Sequence, residues 1–419
     1  MRFTTTNPIY VLVWRGLLRD KIIRDIIKMS LKILHIVPDD KFIDCAIDTF
    51  NQTSSINTYV SIDAVKPFTY IKSYIEDIQI IDKDTLLPFI VNGGFHLVAF
   101  HGLTRDKYEL VLQIPQNIKV LWLAWGADIY VAVGKMPAIL PIELCKPLTK
   151  KIINPIKKVS FIKRFKRFVK HIVYYKKYRM AYLEEQRMTQ DEIRLQKALL
   201  HRIDYMSTVL PFEYEMLCDL KEFHAEYFPF QYASKNNFSY ANIHDNADKI
   251  LLGNSATETN NHLDIISLLY QRNIKNECIL PCSYGNDYYL QKFKQSLSEP
   301  YKNLNLVENF LPKAEYVRLL ASCRIGVFGH VRQQAIGNIL LCMYQGSKVF
   351  LYRDSIAYKY FSKAGYYVYT IEDDLTNDNI SHLLTEEQRA KNRDLIIAQF
   401  TQINVINRLE KMLIQIKNK

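Results

Sequence analysis

The stretch from Cys323 to Gly346, CRIGVFGHVRQQAIGNILLCMYQG, narrows the possible folds more than any other part of the chain. Its residues predict a short buried strand over Arg324–Phe328, a loop over Gly329–Gln333 and an apolar helix over Gln334–Tyr344. Gly346 is suited to a left-handed cap at the end of that helix. A strand that turns directly into a helix is the repeating unit of a parallel α/β sheet, in which the helix N-terminus faces the crevice beyond the strand ends. Unpaired N–H groups and a partial positive charge suit that end to a phosphate. Arg332 adds a forked donor that pairs with phosphate bidentately, Gln333 and Gln334 add neutral donors, and Gly337 permits close approach. The same residues also fit a surface turn capped by Arg332 with solvated glutamines, so the choice rests on the rest of the chain.

The rest repeats the pattern. Strands are expected at Lys32–Val37, Thr58–Ile62, Gln79–Ile81, His96–Phe100, Lys119–Trp122 and Thr208–Leu210, with helical or turn-rich pieces between them. A second series begins at Lys249 and continues through Glu277–Pro281, Leu304–Val307, Arg324–Phe328, Lys348–Tyr352 and Tyr367–Tyr369. At 419 residues, 48% of them hydrophobic, the chain is long and apolar enough for two cored domains. The expected division is a lead over 1–28, an N-terminal Rossmann-like domain over 29–228 carrying an insertion at 146–180, and a polar linker over 229–248. A C-terminal domain over 249–384 and a long helix within 385–419 complete it. The expected fold class is therefore α/β, with two similar domains facing one cleft.

Function gathers at the C-terminal ends of such strands. His101 and Gly102 close FHLVAFHG, and Trp125, Gly126 and Asp128 close VLWLAWGAD. Asp128 and His101 are the candidates for a general base, the usual need when a sugar hydroxyl is the nucleophile. Equally, Asp128 fits a helix cap and His101 a satisfied buried histidine. In the second half, Gly253 permits a tight turn after a strand, Asn254 and Ser255 offer short side-chain donors, and Thr259 can cap a helix starting at Asn260. Asp82-Lys83-Asp84 matches an Asp-x-Asp metal pattern but reads better as a solvated acidic loop.

The net charge of +12 invites a nucleic-acid reading until it is located. Thirteen of the 55 Lys and Arg lie between Lys146 and Arg179 without one acid, which leaves 42 cations against 43 acids elsewhere. Within that segment Phe165 and Phe168 fall on a helical apolar stripe, and Lys163, Arg164, Lys166 and Arg167 fill the remaining circumference. That is the pattern of an interfacial helix on an anionic membrane surface, where each cation contributes about 1 kcal/mol. A helix docked on its own domain with a solvated basic face fits too. Aromatic residues on a helix stripe form no exposed stacking platform, so no nucleic-acid partner is expected. The seven cysteines show no paired spacing, and no apolar run approaches a membrane span.

The stretches VLWLAWGADIY, ILLGNSATETNNH, ILPCSYGNDYY and AEYVRLLASCRIGVFGHVRQQAIGNILLCMYQG, in this order, resemble glycosyltransferase family 56. The resemblance covers roughly residues 31–373 without the basic insertion. It implies a GT-B architecture and metal-independent transfer without a cofactor, from a dTDP-sugar donor to a polyprenyl-linked saccharide acceptor. The family includes a 4-acetamido-4,6-dideoxygalactose (N-acetylfucosamine) transferase acting on lipid II intermediates of enterobacterial common antigen. By resemblance, Gly253, Asn254, Ser255, Asn260, Arg332, Gln333, Gln334 and Gly337 hold the donor. His101, Trp125, Gly126 and Asp128 lie near the acceptor, at the cytoplasmic face of the inner membrane. Two alternatives share parts of this pattern: a nucleotide-sugar epimerase of the same architecture, and a basic nucleic-acid-binding protein.

Overall fold

The computed structural model describes residues 30–62, 64–134, 136–153, 175–232, 247–297 and 303–419. The 1–28 lead, the centre of the 229–248 linker, and Lys163, Arg164, Phe165, Lys166, Arg167 and Phe168 of the basic insertion lie outside the described residues.

The strands form two sheets, parallel throughout. The first contains β1 (Lys32–Ile36), β2 (Ile56–Ile62), β3 (Ile78–Ile81), β4 (Leu97–His101), β5 (Lys119–Leu123), β6 (Tyr205–Ser207) and β7 (Glu226–Tyr227), in the order β3-β2-β1-β4-β5-β6-β7. The second contains β8 (Lys249–Leu252), β9 (Cys278–Pro281), β10 (Leu304–Val307), β11 (Cys323–Phe328), β12 (Lys348–Leu351) and β13 (Tyr369–Thr370), in the order β10-β9-β8-β11-β12-β13. Central strands such as LVAFH and KVFL are buried along their whole length, because helices cover both faces of each sheet. The edge strands β3 and β10 keep exposed residues.

In each sheet the order reverses next to the first strand, between β1 and β4 and between β8 and β11. Chains leaving neighbouring strands there depart to opposite faces and open a crevice. On one side it receives Val37–Asp40 and His101–Gly102, and on the other Gly253–Ser255 and Gly329–Gln334.

Two local expectations are corrected. The strand expected at Thr208–Leu210 lies at Tyr205–Ser207, because Tyr205 and Met206 pair with Leu121 and Trp122 while Pro211 opens a helix, Pro211–Cys218. The short β7 that follows carries no sequence signal at its length. The long C-terminal helix is two helices, Glu386–Phe400 and Gln402–Asn418, separated by Thr401 in an extended conformation (φ −73°, ψ 146°).

Two segments cross between the halves. The last helix buries Val405, Leu409 and Leu413 in one core with Ile33, Ala99 and Leu121 of the first sheet. In the opposite direction, the helix Pro147–Ile153 docks on the second domain. Asp264 accepts from Leu148 N (2.8 Å), Thr149 N (2.9 Å) and Thr149 Oγ1 (2.7 Å), and Ile152 and Ile153 pack against the second core. Among the described residues no helix is long and apolar enough to cross a membrane.

Candidate active site

The turn after β8 is built by side chains that face inward. Gly253 has φ +71°, and a Cβ there would stand 2.4 Å from Asn260 Oδ1, so both conformation and space demand glycine. Asn260 is fully buried. Its Oδ1 accepts from Asn254 N (2.9 Å), and its Nδ2 donates to the Ser255 carbonyl (2.9 Å) and to Thr257 Oγ1 (2.8 Å). Ser255, also buried, shares a hydroxyl contact with Thr257 at 3.1 Å. Asn254 donates to Tyr284 Oη (2.9 Å), and its Oδ1 accepts from Gln334 Nε2 (3.2 Å). Asn260 therefore shapes the loop from within, and Thr259, expected as a helix cap, gives its hydroxyl to Gln334 Oε1 (2.6 Å). The helix itself starts two residues later, at His262, after Asn261 in the left-handed conformation (φ 53°).

The second loop follows β11. Its helix, Ile336–Gln345, ends on Gly346 at φ 102°, where Gly346 N donates to the Cys342 carbonyl (3.1 Å). At the other end stands Ala335, in the left-handed region (φ 58°, ψ 20°) and without a side-chain cap. An alanine held there costs about 1 kcal/mol or more and leaves the opening amides of the helix free for an external acceptor. Gly337 lies in that first turn, exposed, with nothing within 4 Å of where a Cβ would be.

The three polar residues before this helix have separate parts. Gln334 is consumed by the loop network, with Thr259, Asn254 and Thr257 as partners. Gln333 is buried and donates through Nε2 to the Trp125 carbonyl (2.9 Å), a bond between the two domains. Arg332 gives Nη1 to the Gln333 carbonyl (3.0 Å), while its Nε is buried with no hydrogen-bond partner. Burial lowers the guanidinium's pKa, and Glu213, first among several acidic groups, opposes this through space. A desolvated cation with donors to spare, beside an uncapped helix N-terminus, is arranged for an anion.

On the facing domain, Asp128 gathers the turn after β5. Its Oδ1 accepts from Trp125 N (3.0 Å) and Gly126 N (2.8 Å), and its Oδ2 from Leu103 N (3.1 Å) and Trp122 Nε1 (2.8 Å). Four donors occupy the lone-pair sites of a carboxylate. Burial raises its pKa against the pull of these donors. Such a group holds Trp125 and Gly126 in place, with no lone pair left for a substrate proton.

His101 is likewise engaged. His101 Nδ1 lies 3.0 Å from Tyr232 Oη and Nε2 lies 3.0 Å from His35 Nδ1, while His35 Nε2 lies 3.1 Å from Asn57 Oδ1. Both rings are fully buried. Burial drives the pKa of His35 down to about 3 and that of His101 well below its ordinary value, so both are neutral.

His262 is held down to about 3 and His330 well below its usual range, again by burial. In the unfolded chain all four histidines take up a proton below their ordinary pKa of 6.5, whereas the folded chain does not. Stability is therefore lost as pH falls from 6.5, by about 1.4 kcal/mol per pH unit for each group once fully engaged. Glu213, fully buried and raised to about 7, acts the other way between its ordinary pKa of 4.5 and about 7, but it is one group against four. The expected result is a steep fall in melting temperature between pH 6.5 and 5, and a flat profile over that range would refute it.

The sequence places Gly126 and Trp125 near the acceptor by resemblance, and in the structure they touch the loop after β11. Gly126 has φ +95°, and a Cβ there would stand 2.3 Å from Gln333 Nε2 and 3.3 Å from Arg332 Nη1. The Asp82-Lys83-Asp84 triplet lies at the start of the helix Lys83–Asn92, after edge strand β3 and away from the strand reversal. Reading the sequence alone missed Tyr284, Tyr232 and Glu213. Tyr284 sits after β9 with the Lys41 ammonium 5.0 Å from its ring centroid, another contact between domains. Glu213 accepts from Tyr130 Oη at 2.8 Å. A buried Glu three residues after Leu210 and two after Pro211 carries a capping-box signal, which points to a helix start and says nothing of Arg332.

Solved structures of similar shape are glycosyltransferases of the GT-B type. A glycosyltransferase from Rickettsia africae superposes with a TM-score of 0.58 at 11% identity, covering 92% of this chain and 98% of that one. HepE from Anabaena, solved with UDP and glucose, gives 0.58 at 10% identity, covering 92% and 99%. Sucrose-phosphate synthase from Thermosynechococcus elongatus gives 0.57 at 8% identity, covering 92% and 99%. At these identities the likeness establishes the architecture, two facing Rossmann-like domains. Residues 166–417, more than half of the chain, match the model of the 4-alpha-L-fucosyltransferases, and the chain belongs to that family, glycosyl transferase group 56.

Proposed function

We propose that this glycosyltransferase moves 4-acetamido-4,6-dideoxygalactose from a dTDP-sugar to a polyprenyl-diphosphate-linked saccharide during synthesis of a cell-surface polysaccharide such as enterobacterial common antigen. The observation that carries the donor half is Arg332, half-buried with its Nε enclosed and unpaired, beside the uncapped N-terminus of Ile336–Gln345. Breaking a glycosyl–phosphate bond builds negative charge on the departing nucleoside diphosphate, and a fixed cation with free amides stabilises it in a water-poor crevice. Gly253, Asn254, Ser255, Asn260 and Gln334 hold the donor loop, Gly337 leaves room for the phosphates, and Gln333 ties that loop to Trp125. The HepE complexes with UDP and with UDP-glucose support a nucleotide-sugar donor in this architecture. The test is incubation of the purified enzyme with the labelled dTDP-sugar and the lipid-linked saccharide. The expected product is one sugar longer, with release of dTDP, and exclusive use of UDP- or GDP-sugars would reassign the donor.

A lipid-linked acceptor places the work at a membrane, here the cytoplasmic face of the inner membrane. Lys163, Arg164, Phe165, Lys166, Arg167 and Phe168 supply the amphipathic basic pattern for peripheral attachment. Replacing Lys163, Arg164, Lys166 and Arg167 by Gln should release the enzyme from anionic vesicles in a sedimentation assay, and retained sedimentation would sink the idea.

A further inference from the structure

We propose that Asp40 receives the proton of the acceptor hydroxyl, and that Phe42, Trp125 and Tyr232 form the aromatic shelf on which the acceptor sugar lies. This rests on the transferase reading above and assigns a base that neither Asp128 nor His101 can be.

Asp40 lies four residues past the end of β1, at the strand reversal that opens the crevice. Its neighbours fix its place between the domains. Lys41 reaches Tyr284, whose hydroxyl accepts from Asn254 of the donor loop, and Phe42 stands against Trp125 and Tyr232. The other carboxylates nearby are committed. Asp39 takes the amides of Thr69, Tyr70 (2.9 Å) and Ile71 (3.1 Å), Asp44 those of Lys72 (3.0 Å) and Ser73 (3.1 Å), and Asp128 its four donors. Among the described residues the Asp40 carboxylate accepts one hydrogen bond, from Phe42 N to Oδ1 (3.0 Å), which leaves Oδ2 open. It is half-buried, and burial raises its pKa above the ordinary carboxylate value although the Phe42 amide and Lys41 pull it down. Cys45 and Tyr232 face it from the adjoining elements, and Asp39 from its own.

The three rings pack tilted or edge-on into one cluster. Ring centroids lie 6.1 Å apart for Phe42 and Trp125, 5.6 Å for Phe42 and Tyr232, and 5.9 Å for Trp125 and Tyr232, with Phe42 41% exposed. The buried chain behind it sets the direction of the Tyr232 hydroxyl. Asn57 spends Nδ2 on the Phe50 carbonyl (3.1 Å), so its Oδ1 accepts from His35 Nε2. A neutral His35 then accepts at Nδ1 from His101 Nε2, and His101 Nδ1 accepts from Tyr232 Oη. The wire ends on an amide that takes no proton, so it carries none away. It points the Tyr232 proton inward and leaves its oxygen lone pairs to receive a sugar hydroxyl.

In the step itself the acceptor oxygen bonds to the anomeric carbon, and the bond from that carbon to the phosphate oxygen breaks with its electron pair leaving on the nucleoside diphosphate. The hydroxyl proton passes to Asp40 Oδ2.

Asp40→Asn should lower kcat by about 100-fold or more while dTDP affinity measured by calorimetry stays within about twofold. Phe42→Ala, which leaves Asp40 intact, should raise the acceptor KM about tenfold with the donor KM unchanged. A D40N enzyme of near-normal kcat, or one that loses dTDP binding together with turnover, would overturn the assignment, as would an F42A enzyme with an unaltered acceptor KM. If the wild-type enzyme transfers sugar and these variants match it, this inference alone fails. If the wild type transfers to no lipid-linked saccharide, the parent reading fails first.

Discussion

Arg332→Ala lowers kcat/KM for the donor by about 100- to 1000-fold and weakens dTDP binding, as calorimetry and initial rates will show. The size follows from what Arg332 lacks. Its Nε is buried without a partner, and its single hydrogen bond among the described residues goes to a neighbouring carbonyl, so its remaining donors are available to a diphosphate. Charge-assisted bonds to phosphate in a desolvated site are among the strongest single contributions to catalysis, about 3 to 4 kcal/mol. Lysine restores only part, because a point charge cannot reproduce the planar fork. A second signature separates loss of contact from loss of fold. Arg332 favours the charged form of Glu213, so removing it moves the Glu213 carboxyl further up from about 7, and the variant's stability begins to change at higher pH. An Arg332→Ala enzyme with wild-type donor kinetics would take Arg332 out of the site.

Gly126→Ala costs the enzyme its transfer activity, by about 100-fold, and lowers its melting temperature by several degrees. Two penalties act together. At φ +95° an L side chain is strained by about 1 to 2 kcal/mol, and the new methyl group would lie 2.3 Å from Gln333 Nε2. A flexible surface side chain would move aside, but Gln333 is buried and donates to the Trp125 carbonyl. Moving it breaks the bond that joins the loop after β11 to the turn after β5 and leaves the half-buried Trp125 carbonyl without that partner. The new methyl also stands 3.3 Å from Arg332 Nη1, so dTDP affinity should fall as well, but less than turnover because the loop around Gly253 and Asn260 is untouched. Calorimetry beside steady-state rates reads the difference, and equal losses in both would show that the contact serves folding alone.

The strand–turn–helix at Cys323–Gly346 was readable because an apolar run, a glycine turn and a terminating Gly346 all speak locally. The same holds for the order of most strands, whose continuous apolar runs reflect burial on both faces. What sequence pattern hid is what long-range pairing decides. Nothing in Asp128 distinguishes a base from a carboxylate ringed by four N–H groups, since Leu103 and Trp122 reach it only after the sheet has formed. Asn260 and Gln334 have the composition of ligand donors, yet the fold spends them on Ser255, Thr257 and Thr259. Asp40 carries no local signal of its own, because Asp39 and Asp40 are chemically equal until the chain near Thr69 approaches one of them. Thr401 broke a helix whose periodicity ran on through it, since its extended backbone is fixed by the second helix returning to the first sheet.

The crevice between these two sheets is expected to bind a nucleoside diphosphate through Arg332 and the helix behind it. Titration calorimetry of the wild-type and Arg332→Ala enzymes with dTDP, UDP, GDP and a short oligonucleotide tests it most directly. The expected result is saturable binding of dTDP in preference to the other nucleotides, with most of that affinity lost in the variant. Binding of the oligonucleotide alone, or dTDP affinity indifferent to Arg332, would contradict it.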